Sequence, residues 1–243
     1  MLRLPVSACL LAALLLAACL LAVALLAVAP PRPAAAQQID AEQEYLACLK
    51  LARSAPAEAE ASAKTWEEQG GAGPARHCRA VALARLGRFA EAAEMLERLI
   101  DEVPTRMKAG VLTQAGQAWL MADDAERAFR AQTRALEFAP NDVELLIDRS
   151  ITLAGLNRFW EAYDLALEDV NQALELDPSH PEALMERGIL RYQEGDIRGA
   201  RKDWQAVVDV APNTPAAVAA KENLWRTENT GGPAPLPGPA QGG

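Results

Sequence analysis

The sequence predicts an all-α solenoid of paired helices, and three observations carry that prediction. First, a proline returns at a near-fixed interval: Pro104, Pro140, Pro178 and Pro212 are 36, 38 and 34 residues apart. Second, an alanine lies twelve residues before each of them, at Ala92, Ala128, Ala166 and Ala200. Third, a small residue lies a further twelve back in three of the four units, at Ala80, Gly116 and Gly188, while Ser150 stands sixteen before Ala166. A period near 34 residues marks a repeat array. The inner spacing divides each unit into two helices. A proline cannot continue a helix, so it closes each second one. The small residues sit where two helices of a hairpin approach most closely.

The unit 181–214 shows the pattern best. Pro181 occupies a first helical turn, where proline is tolerated. Leu184, Gly188, Ile189 and Tyr192 recur at helical spacing, Gly195-Asp196 breaks the run, and Ile197, Ala200, Trp204, Val207 and Val210 form a second stripe. The other units repeat parts of this. Ala80, Leu83, Gly87, Phe89, Ala92, Leu96, Leu99 and Pro104 mark the first. Leu112, Gly116, Trp119, Ala128, Ala135 and Pro140 mark the second, with Asp123 where a turn glycine is expected. Over roughly 74–214 the chain resembles the tetratricopeptide repeat. That resemblance implies a right-handed superhelical solenoid of helix-turn-helix repeats with a terminal capping helix.

From the N-terminus, residues 1–36 read as a targeting segment. Arg3 precedes an apolar run from Val6 to Ala29, Pro30-Pro31-Arg32-Pro33 ends it, and Ala34-Ala35-Ala36 provides a small-residue cleavage site before Gln37. The run is also long enough to span a bilayer if retained. Leu16-Ala17-Ala18-Cys19 resembles a lipoprotein processing site, so Cys19 is a candidate for lipidation. All three alternatives place the repeats outside the cytoplasm, with the periplasm as the main expectation. Residues 37–73 predict an atypical helix pair. Tyr45, Leu46, Leu49 and Ala52 give one stripe, Ser54-Ala55-Pro56 a break, and Ala57 to Gln69 with Trp66 a second helix.

Four units then follow over 74–214. First helices are expected near 75–85, 109–121, 143–155 and 181–194. Second helices are expected near 89–101, 124–138, 158–176 and 197–210. The late Ala166 in the third unit is read as one extra turn within Arg158–Leu176. An alternative register is open there, because Asn157-Arg158-Phe159 mimics Gly87-Arg88-Phe89. Residues 215–229 predict a capping helix, since the last unit of an array otherwise exposes its apolar face. The tail 230–243 is dense in glycine and proline and is expected to be disordered.

Composition narrows the function. Removing 1–36 takes away Arg3 and Arg32 and no acid, leaving 22 basic against 33 acidic residues, a net charge of −11. That excludes a nucleic-acid binder, which needs basic patches. Cys48 and Cys78 remain in the exported part, and an even pair there predicts a disulfide. Their separation of 30 rules out a CxxC redox site.

No GxSxG, Walker or dinucleotide-binding glycine pattern occurs, and no metal set or cofactor is implied. His180 is read as a solvated turn residue. His77 beside Cys78 does not form a dyad, because neighbouring helical residues diverge. Glu67-Glu68, Asp123-Asp124 and Glu168-Asp169 are read as solvated acids, and the tryptophans as packing residues, with Trp160 in the irregular turn.

The chain is therefore expected to be non-enzymatic and to bind a peptide or protein. The resemblance implies that first helices line a concave groove. Thr113, Gln117, Leu120, Ile147, Ile151, Ala154, Met185, Ile189 and Tyr192 are the candidate groove residues, an apolar set for an exposed surface. A partner segment or the helix Ala216–Thr227 is expected to cover them. The alternative is a structural subunit of an envelope assembly that uses the convex face. A membrane enters only if the N-terminal segment is retained or Cys19 is lipidated.

Overall fold

The computed structural model describes residues 41–156 and 161–229, and there the chain is helical with no strand. The targeting segment, the lipidation candidate Cys19, the turn residues Asn157 to Trp160 and the tail 230–243 lie outside the described residues. In order, the helices are α1 (Ala41–Ser54), α2 (Pro56–Trp66), α3 (Ala72–Arg85), α4 (Phe89–Arg98), α5 (Thr105–Met121), α6 (Ala125–Leu136), α7 (Val143–Gly155), α8 (Glu161–Leu176), α9 (Pro181–Glu194), α10 (Ile197–Val210) and α11 (Pro215–Asn229). A π-turn, Glu67–Gly71, joins α2 to α3, and a short 3-10 turn, Leu99–Asp101, ends the second helix of the first unit. Each helix packs against its sequence neighbour, and α7 also packs against α9. The result is a solenoid.

The recurring spacing has a local cause in each unit. Gly87 and Gly195 turn the chain between helices at φ 77° and 98°, a left-handed backbone that glycine adopts without a Cβ clash. Asp123 takes the same turn in the second unit at φ 60°. Asp124, Asp142 and Asp196 cap the helices that follow, accepting from the backbone N–H of Arg127, Leu145 and Gly199. Ala92, Ala128, Ala166 and Ala200 are each completely buried. The residue four positions later fills the space opposite the small position. At Gly188 that residue is Trp204, whose indole would lie 2.4 Å from an added Cβ; at Gly116 it is Gln132, 3.1 Å away. Gly188 thus makes room for a ring rather than for Ala200 alone.

In the third unit α8 starts five residues before Ala166, where α6 starts three before Ala128. The start of the span Arg158–Leu176, where one extra turn is expected, and the alternative register at Asn157-Arg158-Phe159 lie outside the described residues.

At the N-terminal end, Cys48 of α1 and Cys78 of α3 are joined by a disulfide, with Cα atoms 6.2 Å apart. At the other end α11 packs on α10 and contacts α9, burying Ala217 and Ala220. It continues the stack as a next first helix would. Its Trp225 is not a packing residue as expected: it is 63 % exposed. Trp66, Trp119 and Trp204 are buried.

Buried charge holds consecutive units together, and here two sequence readings need correction. Asp169 is not solvated. It is 1 % exposed and accepts two hydrogen bonds from Arg149, at 2.8 and 2.6 Å. Arg149 also reaches back to Thr133 of the preceding unit. Arg187 repeats the arrangement with Asp203, at 3.0 and 2.8 Å, and with Asn171. Glu67 likewise pairs with Arg76 and Arg79. His180 is not a free turn residue either: its Nε2 lies 3.0 Å from Glu144 of the preceding unit.

Candidate functional site

The first helices α5, α7 and α9 carry the candidate residues, and their sequences align about the small position. Leu146-Ile147-Asp148-Arg149-Ser150-Ile151 of α7 matches Leu184-Met185-Glu186-Arg187-Gly188-Ile189 of α9. The leucines and small residues are buried in the core, and the arginines form the inter-unit ties just described. Successive residues on a helix turn by about 100°, so the remaining positions share a different face. That face holds Ile147, Asp148 and Ile151 on α7, and Met185, Glu186 and Ile189 on α9.

The structure separates the candidates by burial. Ile151 is 49 % exposed and Leu120 is 41 % exposed. Gln117 and Ala154 are exposed, while Thr113, Met185, Ile189 and Tyr192 are half-buried. Met121, missed by the sequence reading, is exposed beside Leu120. Ile147 is corrected to a core residue at 3 % exposure. Leu145, Leu146 and Ile147 are consecutive and all buried, so this turn of α7 is covered on more than half of its circumference, with Glu144 on the open side, and one turn later Ile151 emerges. The terminal helix leaves Ile151 open, so of the two expected covers, a partner segment or the helix Ala216–Thr227, the helix does not reach this residue. Tyr192 rests on Trp204, ring centroids 5.5 Å apart.

Two carboxyl groups stand at matched positions on this face. Asp148 is half-buried, and the neighbouring Gln117 side chain favours its charged form. Burial, followed by the like charges of Glu144 and Asp142, raises its pKa above the usual carboxylate range. Glu186 is 8 % exposed, and burial pushes its carboxyl up to about 7. Sequence reasoning passed over both, because an acid on a helix face ordinarily points into solvent. The signal available was the matched six-residue phrase.

A second feature lies at the N-terminal end. His77 of α3 sits between units, its Nε2–H donating to Gln114 of α5 at 3.1 Å while Nδ1 accepts from the Tyr45 hydroxyl at 2.9 Å. Burial lowers its pKa, which favours the neutral ring. A cavity of about 540 Å³ opens beside it, walled by Tyr45, Leu46, Val103 and Met107. Cys78, its chain neighbour, is committed to the disulfide and carries no nucleophilic thiol.

Comparison with known proteins agrees with this architecture. Family models described as "Tetratricopeptide repeat" match residues 79–105 and 160–224. Serine/threonine-protein phosphatase 5 of Rattus norvegicus is 32 % identical over 126 residues, covering 51 % of this chain and 24 % of that one. DnaJ homolog subfamily C member 7 of Homo sapiens is 25 % identical over 112 residues, covering 46 % and 22 %. The chain thus spans about a quarter of the length of these curated relatives. Among solved structures, YrrB, described as "a TPR protein with an unusual peptide-binding site", superposes with a TM-score of 0.60 at 20 % identity, over 75 % of this chain and 92 % of that one. MamA from Desulfovibrio magneticus RS-1 gives 0.60 at 17 % identity, over 72 % and 97 %. Repeat period, paired helices, turn chemistry, family match and superposition converge, and the chain is a tetratricopeptide-repeat protein.

Proposed function

We propose that this protein is a non-enzymatic interaction module that holds a segment of a partner protein along its first helices, between α5 and α9. The carrying observation is Ile151, a β-branched apolar side chain 49 % exposed in the middle of a helical array. Leu120 and Met121 extend the apolar surface on α5, and Met185 and Ile189 on α9. Exposed apolar surface of this kind marks an interaction site. The peptide-binding description of YrrB supports the same reading by analogy of fold. The phosphatase activity named for one relative is not carried over, since the match spans 24 % of that protein. Replacing Ile151 and Ile189 with Ser tests the reading. The double variant should keep its helical circular dichroism and lose capture of its partner. Folded protein with undiminished capture would contradict it.

The module acts outside the cytoplasm in this proposal, exported by residues 1–36. The support is the apolar run and the Ala34-Ala35-Ala36 site. Mass spectrometry of the mature N-terminus should find Gln37. A chain beginning at Met1 would mean a retained segment, and one beginning at Cys19 a lipoprotein.

A further inference from the structure

We infer that the groove selects a basic partner segment: Asp148 and Glu186 are anionic subsites for two Lys or Arg side chains set about three residues apart in an extended apolar peptide. This rests on the groove reading above and specifies its ligand.

Three observations carry the inference. The first is repetition. Asp148 and Glu186 occupy the same place in the matched phrases of α7 and α9, each following an apolar residue, the buried Ile147 or the half-buried Met185, and preceding the tie arginine. The Gln117 side chain, an exposed residue of the groove, acts on the Asp148 carboxylate and so lies on the same side of α7 as this position. Helical spacing places Glu186 on the corresponding side of α9, beside Ile189.

The second is Glu186 itself. The residue is 8 % exposed, and among the described residues no side chain hydrogen-bonds or ion-pairs with its carboxyl, which keeps only a narrow opening to solvent. A carboxylate in that setting is costly unless a donor compensates it.

The third is the disposition of the cations. Arg149 is held by Asp169 and Thr133, and Arg187 and Arg191 by Asp203. The intervening helix α8 has no Lys or Arg. The charged neighbours that act on Asp148 are Glu144 and Asp142, which have the same sign. Among the described residues, cations are supplied to Asp169 and Asp203 and none to the matched groove acids. A cation from outside completes both. Its apolar neighbours would lie against Ile151, Met185 and Ile189.

The spacing follows from the packing. α7 and α9 are in contact, and packed helices lie about 8–10 Å axis to axis. An extended chain advances about 3.3 Å per residue, so equivalent subsites on the two helices fall about three residues apart.

The test is selection from a random dodecapeptide display library, run in parallel on the wild-type protein, on Glu186→Gln with Asp148→Asn, and on Ile151→Ser with Ile189→Ser. The wild type should enrich apolar peptides carrying Lys or Arg at two positions three apart. The acid-to-amide variant should still select apolar peptides but lose the basic enrichment. A selected peptide should bind the wild type at least about tenfold more tightly than its Lys-to-Gln version, and Glu186→Gln should abolish most of that difference. Apolar peptides without basic enrichment would overturn the inference and leave the groove reading intact. If the Ile-to-Ser variant selects the same peptides as the wild type, or the wild type selects none, the groove reading falls and this inference with it.

Discussion

Arg149 and Asp169 form a fork, two parallel hydrogen bonds of 2.8 and 2.6 Å between the first and second helices of one unit, with Asp169 only 1 % exposed. Thr133 on the preceding unit shares the same guanidinium. One arginine therefore ties three helices, and Arg187 repeats the device one unit later. Removing one partner leaves the other buried and uncompensated. Arg149→Met should destabilise the protein by about 3–5 kcal/mol. Chemical denaturation checks this, and a loss under about 1 kcal/mol would mean that the tie is dispensable.

Gly188 and Trp204 make the closest approach of the last hairpin. Even the Cβ of alanine would meet the indole at 2.4 Å. Gly188→Leu should therefore cost on the order of 1–3 kcal/mol through overpacking, with Trp204 fluorescence altered. An unchanged melting curve would place the small position elsewhere.

Asp123 holds φ 60° where the equivalent turns use Gly87 and Gly195. A side chain in the left-handed region is strained, so Asp123→Gly should stabilise the second unit by about 0.5–1 kcal/mol. A lower melting temperature would show that Asp123 makes a compensating contact.

Glu186 gives the protein a pH signature. Its carboxyl titrates near 7 in the folded state, above the ordinary value of 4.5 in the unfolded chain. The folded state then binds more protons between those values, so stability falls as pH rises through that window, and the penalty is complete above it. Glu186→Gln should raise the melting temperature at pH 8 by an amount corresponding to about 1–3 kcal/mol and flatten the dependence between pH 5 and 8. Equal slopes for variant and wild type would contradict the burial argument.

Cys48 and Cys78 close a loop between α1 and α3. Thiol labelling at both positions should require prior reduction, and reduction should lower stability by about 2–4 kcal/mol. Free labelling of both cysteines in the unreduced protein would refute the bridge.

The fold was legible because its causes are local and repeated. Prolines end second helices, turn residues reverse the chain, and small residues mark close approaches, and each leaves a residue type at a fixed interval. The site was only partly legible. Ile147 and Ile151 lie four apart and look equivalent in sequence, yet packing buries the first and leaves the second exposed. Asp169 and Asp148 are both acids on helices. Only the position of Arg149 across the hairpin distinguishes a compensated charge from an uncompensated one. Trp225 has the spacing of a packing residue, but no helix follows among the described residues to cover it. What a residue contacts across units is a long-range property, and a single period does not encode it.

Site-specific photocrosslinking distinguishes binding along the first helices from binding on the outer face. A photoreactive amino acid is placed in turn at Ile151 and Ile189 on first helices, and at Arg130 and Gln205, exposed on second helices. Partner adducts should form from Ile151 and Ile189 and not from Arg130 and Gln205. Adducts confined to Arg130 and Gln205 would rule out the first-helix groove and identify the convex face as the working surface.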